Sequence, residues 1–150
     1  MDNALVESLI DRDWPAFVRA CRVMAVGTPE RHGQVIRIRC MPSGTDTAYL
    51  AILDCDGYNA VAPLLQFANP DNPLQTGREW WPHMANAPFN NIEIDGRHIP
   101  ILCVKGTRGY HLHPSHCNEA HDRSTWQLVA SATILHRLLH TWGPHQGRGV

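Results

Sequence analysis

Several absences narrow the class of this chain before any motif is read. No apolar run approaches the ~18 residues that a membrane-crossing helix needs, so no membrane span is expected. Thirteen basic residues face fourteen acidic ones, for a formal net charge of -1, and no overall pull toward nucleic acid or anionic lipid follows. The five cysteines are odd in number and lack a CxxC pair, which argues against a disulfide scaffold. The N-terminal stretch carries Asp2, Glu7, Asp11 and Asp13 where a secretory signal would carry a basic start. Together these features predict a cytoplasmic protein in which a reactive thiol stays reduced. There is no internal repeat, and 150 residues with 43% hydrophobic content predict a single domain over 1–150.

Read in order, the chain begins with helix signals. Asp2 or Asn3 is placed to cap a first helix with Leu5, Leu9 and Ile10 on one face, and Asp13 to cap a second that starts at Pro15 and carries Phe17, Val18 and Cys21. Gly27-Thr28-Pro29 reads as a turn. Gln34 to Cys40 alternates, with Ile36, Ile38 and Cys40 on one face and Arg37 and Arg39 on the other, as a half-buried antiparallel strand does. Ala48 to Leu53 is more continuously apolar and predicts a central strand, with turns at Pro42-Ser43-Gly44 and Asp54 to Gly57 on either side. Proline, asparagine and glycine dominate from Asn69 to Pro88, which predicts an extended surface loop interrupted by Trp80-Trp81. That pair either seals a core edge or, if exposed, offers a docking site.

The last helix has the clearest pattern. Ser124 with Gln127 forms a capping box, and Leu128, Ser131, Ala132, Leu135, Leu138, Leu139 and Trp142 follow helical spacing until Gly143-Pro144. His136 and His140 then lie one turn apart on its polar side, as a solvated face or, less simply, a metal-binding pair. Residues 144–150 read as a frayed tail. A helix, a meander of strands, an irregular cysteine-bearing segment and a C-terminal helix make an α+β arrangement.

The segment from Asp95 to Trp142 carries the chemistry. An Asp95-Gly96 turn leads into Ile99-Pro100-Ile101-Leu102-Cys103, followed by the Gly106-Thr107-Arg108-Gly109 loop, a histidine cluster, Trp126 and the leucine-paired helix. That order of parts resembles the catalytic segment of ubiquitin-conjugating enzymes. Tyr58, Pro63 and Phe67 likewise resemble that family's Tyr-Pro-Phe-x-Pro-Pro segment and following strand, with Asn59 in place of the first proline. The resemblance implies the ubiquitin-conjugating fold, a thioester formed on Cys103 and transfer of the acyl group to a nucleophile.

The family's His-Pro-Asn, whose asparagine steadies an oxyanion, does not occur here, and Asn90 and Asn91 are the nearest substitutes upstream of the cysteine. Downstream, Tyr110-His111-Leu112-His113-Pro114-Ser115-His116 resembles divergent bacterial members of the family found in antiviral operons. The resemblance implies phage defence and a partner engaged through its C-terminus, either a cGAS/DncV-like nucleotidyltransferase or a ubiquitin-like modifier, in some cases with an activating enzyme. No cofactor, nucleic acid or membrane is implied. His111 and His113 are the candidate groups for polarising the carbonyl or taking the proton of an attacking amine.

Other classes remain open on the sequence. Gly109 to Pro114 resembles the His-x-His-Pro of JAMM-type zinc metalloproteases, with His111 and His113 side by side on a strand, although Asp122-Arg123-Ser124 reverses that family's Ser-x-x-Asp. Cys103, His111, His113, His116, Cys117 and His121 are also chemically suited to a structural zinc, at a spacing that matches no common module. A conjugating-like fold that only binds partners is the third class.

Overall fold

In the computed structural model the described residues are 2–117, 119 and 127–150. The chain forms α1 (Asn3–Val23), five strands β1 (Pro29–His32), β2 (Val35–Cys40), β3 (Tyr49–Asp54), β4 (Leu64–Asn69) and β5 (Asn72–Thr76), then a 3-10 turn (Arg78–Trp80) and β6 (Pro82–Met84). There follow β7 (Phe89–Ile94), β8 (Arg97–Leu102), the short α2 (Arg108–Leu112), α3 (Leu128–His140) and β9 (His145–Arg148). The α+β expectation holds at this level: an N-terminal helix, an antiparallel five-stranded sheet and a C-terminal helix. No helix among the described residues is long and apolar enough to cross a membrane.

The sheet is a meander in the order β1-β2-β3-β4-β5, and β3 is central as its unbroken apolar run requires. Register explains the core. Ile36, Leu53 and Leu65 lie opposite one another across β2, β3 and β4, as do Ile38, Ala51 and Phe67, so the side chains of these rows enter one apolar layer beneath α1 and α3. The opposite face of β3 buries Leu50 and Ile52 in a smaller patch with Ala68. β5 replaces the first part of the expected loop. It is polar and carries Pro73, which an edge strand tolerates because one side of its backbone needs no partner.

The N-terminus departs from its two-helix reading. A single helix runs through Pro15, capped by Asp2, whose carboxylate accepts from Ala4 N at 2.7 Å. Val6, Ile10, Phe17 and Cys21 form one buried stripe across the proline, while Leu5 is half exposed. Continuous burial against α3 outweighs the one hydrogen bond that Pro15 removes. Asp13, expected as a cap, is occupied otherwise: it accepts from the Arg12 guanidinium at 2.8 and 2.9 Å and from the buried Tyr58 hydroxyl at 2.7 Å. That hydroxyl in turn accepts from Leu128 N at 3.0 Å, in the first turn of α3. Gln127 occupies the N-cap without a side-chain bond, so Tyr58 does there what a capping side chain normally does; Ser124 and Trp126 lie outside the described residues.

This network predicts two outcomes. Tyr58→Phe leaves Leu128 N and an Asp13 oxygen without their buried partner and should cost about 1–3 kcal/mol in urea unfolding. The Arg12 hydrogen bond, with help from Tyr58, holds Asp13 below its ordinary value of 3.8 against the opposing effect of burial. A carboxylate depressed in the folded state stabilises above its unfolded value and loses that contribution as pH falls through the folded one. The stability gap between the parent and Asp13→Asn should therefore be constant near neutrality and close only below about pH 3.8.

Two further expectations are corrected at the C-terminal end. His136 and His140 are partly buried and serve as more than a solvated face: His136 Nδ1 donates to Met24 O at 2.8 Å and His140 Nε2 to Ala25 O at 2.8 Å, tying α3 to the carbonyls that end α1. The tail is not frayed. β9 pairs antiparallel with β6, His145 meets the Tyr49 hydroxyl at 2.6 Å, and Arg148 lies over the Tyr49 ring at 4.7 Å. Trp81, just before β6, is 1% exposed and packs on Phe67 and Phe89, so it belongs to the core and not to a docking surface.

Candidate active site

The hairpin β7-β8 delivers the thiol. Its turn has Asp95 and Gly96 both at positive φ, 51° and 75°, the geometry that a two-residue hairpin demands and that Asp-Gly readily adopts. Cys103 follows the last residue of β8, with its amide donating to Pro88 O at 2.8 Å. It lies beyond the strand and is half-buried, unlike Cys21, Cys40 and Cys55, which are buried and whose thiols burial pushes up to about 12. The turn after Cys103 is pinned by buried Thr107, whose hydroxyl lies 3.1 Å from Leu102 O and 3.0 Å from Val104 O.

Thr107 also caps α2, accepting from Tyr110 N at 3.2 Å. The expected loop is thus a short helix laid directly on β8. Gly109 makes that contact: a Cβ there would fall 2.4 Å from Ile101 Cγ2, so any larger residue would push α2 off the strand. Arg108 fixes the other side through its guanidinium, which donates to Ala62 O at 2.9 Å and Asp56 O at 2.5 Å.

α2 carries Tyr110 to the centre of the site. The Tyr110 ring stacks on His116 at 3.9 Å between centroids and 13° between planes, and its hydroxyl donates to the two Glu119 oxygens at 3.1 and 3.0 Å. His116 Nδ1 is 2.8 Å from Glu119 Oε1, and His116 Nε2 is 3.8 Å from Cys103 Sγ. An ionised carboxylate only accepts, so Nδ1 carries a proton, and in the neutral ring the lone pair of Nε2 faces the thiol. The hydrogen bond from His116, together with that from Tyr110 and the charge of Lys105, holds Glu119 below the ordinary carboxylate range. Burial, then the Glu119 carboxylate, pushes the Tyr110 phenol up, which keeps it a donor. Thiol, imidazole and carboxylate thus stand in the order used for nucleophilic cysteine catalysis.

Of the residues singled out from sequence, Cys103 is at the centre of this group. His111 and His113 occupy α2 and its C-cap, not one strand face. His111 Nε2 is 3.4 Å from Gly106 N, and His113 lies 3.4 Å from Asn90 Nδ2 and 3.2 Å from Ser115 N. It is His116 whose ring touches the thiol. From the sequence, His116 is one member of the cluster and of the zinc-suited set, and Glu119 is not singled out; their spacing of three residues is the available signal. Asn90 faces His113, and Asn91 N donates to Asn90 Oδ1 at 2.8 Å. Among the described residues no group of three or more His, Cys, Asp or Glu is arranged to hold a metal ion; His121 and Asp122, on which the zinc readings draw, lie outside them. No protein-family model matches the chain, and no curated protein matches it either.

Proposed function

We propose that the protein is a cysteine-dependent acyl transferase of the ubiquitin-conjugating type, and the observation that supports this best is the Cys103-His116-Glu119 alignment. His116 takes the thiol proton, the thiolate attacks the activated C-terminal carbonyl of a partner protein, and a thioester forms as the original leaving group departs with the proton returned by His116. An amine or another nucleophile then attacks that thioester, with His116 accepting its proton and returning it to the sulfur. Glu119 holds the imidazole in the required tautomer and offsets its charge once protonated. This assigns to His116 the proton-handling role that the sequence suggested for His111 and His113. The meander, the hairpin turn before the cysteine and the terminal helices agree with the element order of the conjugating fold. The family resemblance suggests a cytoplasmic antiviral setting and a cGAS/DncV-like nucleotidyltransferase or ubiquitin-like modifier as the partner.

Incubation with an activated partner followed by non-reducing electrophoresis tests the reading. A thiol-sensitive adduct is expected in the parent, absent in Cys103→Ala and converted to a thiol-resistant ester in Cys103→Ser. An adduct that survives Cys103→Ala moves the nucleophile elsewhere. Activity that depends on one bound zinc and is lost in a chelator supports the metalloprotease reading instead.

A further inference from the structure

The site contains a nucleophile that the mechanism above does not use. Of thirteen basic side chains in the chain, twelve are arginine and one is lysine, and that lysine is Lys105, two residues after Cys103. Its ammonium lies 3.7 Å from Glu119 Oε2, on the same carboxylate whose other oxygen accepts the hydrogen bond of His116. Imidazole and amine therefore share Glu119, and the same imidazole touches the thiol. The side chain is 64% exposed, so it is neither packed nor confined, and four methylenes on a turn give its nitrogen the reach to swing toward the sulfur. Guanidinium groups stay protonated in proteins and do not attack thioesters, so no other side chain of this protein is an amine acceptor.

Resting on the acyl-transfer reading, we infer that Lys105 is a self-acylation site that receives the acyl group from Cys103 when no external amine occupies the acceptor position. The Lys105 ammonium releases one proton to water. The resulting amine attacks the thioester carbonyl, the C–N bond forms and the C–S bond breaks with its electron pair leaving on sulfur. The second proton passes from nitrogen to His116 and on to the sulfur, leaving an amide on Lys105 and a free Cys103 thiol. Tethering makes the step unimolecular, which favours it over capture by dilute amines. The acyl donor class is an activated peptide C-terminus, and the amide would occupy the space beside Glu119 where an acceptor amine must approach.

The test uses the full chain and an acetyl-Ala-Gly thioester of mercaptoethanesulfonate as probe, followed by intact mass and peptide mapping with and without thiol treatment. In the parent, a thiol-labile adduct on Cys103 should convert to a thiol-resistant adduct mapped to Lys105. Lys105→Arg keeps the charge but not the nucleophile, so its thioester should persist at least about 10-fold longer with no stable adduct. Cys103→Ala should show neither. A parent thioester that decays to free thiol without a stable adduct, or a stable adduct elsewhere, overturns the inference and leaves acyl transfer standing. Lys105→Arg discharging at the parent rate, or equal Lys105 labelling in Cys103→Ala, likewise overturns it. If the parent forms no thioester at all, the acyl-transfer reading fails and this inference fails with it.

Discussion

His116→Ala is expected to slow acylation of Cys103 by about 100-fold to 10,000-fold near neutral pH, the range that a positioned general base contributes. His111→Ala and His113→Ala should stay near the parent rate for this step. The reason is contact: Nε2 of His116 meets the sulfur at 3.8 Å, and its partner ring nitrogen is held by Glu119 at 2.8 Å. The deficit is to be read against the parent at one pH near neutrality. Stopped single-turnover acylation with a small thioester probe measures it. A His116→Ala protein that is folded and reacts at the parent rate would remove this residue from the mechanism. Glu119→Gln separates its two roles: it keeps the contact to His116 but loses the charge, so a defect smaller than that of His116→Ala is expected.

The second large effect concerns Trp81. Its replacement by alanine should cost about 3–5 kcal/mol, a substantial fraction of the total stability of a domain. The indole lies 4.9 Å from the Phe67 ring and 6.0 Å from the Phe89 ring, between the central sheet and the first strand of the β7-β8 hairpin. Removing it opens a cavity where the hairpin meets the core, so the hairpin should also lose protection from amide exchange before the meander does. Trp80→Ala, at a half-buried position, should cost less. Urea unfolding of both variants decides the matter, and a Trp81→Ala cost below about 1 kcal/mol would contradict its core placement.

Parts of this architecture were legible because a local pattern carried them. Alternation marked β2, a continuous apolar run marked β3, and helical spacing marked α3 down to Leu139. The Asp95-Gly96 turn and the apolar run after it pointed to Cys103, while the strand before the turn, β7, was not marked. What escaped is set by partners distant in sequence. β5 and β9 are short and polar and exist as strands because β4 and β6 offer them hydrogen-bonding edges. Pro15 reads as the start of a second helix, yet the stripe from Val6 to Cys21 binds both halves to one surface. His116 was one of four histidines between residues 111 and 121, and nothing in composition separates it from the others. The separation comes from Gly109, which lets α2 sink onto Ile101 and brings the Tyr110 ring against one imidazole.

The unequal burial of the five cysteines has a consequence for chemoselectivity. If Cys103 is the nucleophile, as proposed, the four other thiols are competitors for every electrophile that arrives. Cys21, Cys40 and Cys55 are buried in the core, where burial also keeps their thiols protonated. Discrimination among identical functional groups is thus performed by the tertiary structure as a whole, which leaves Cys103 and Cys117 the most accessible of the five sulfurs.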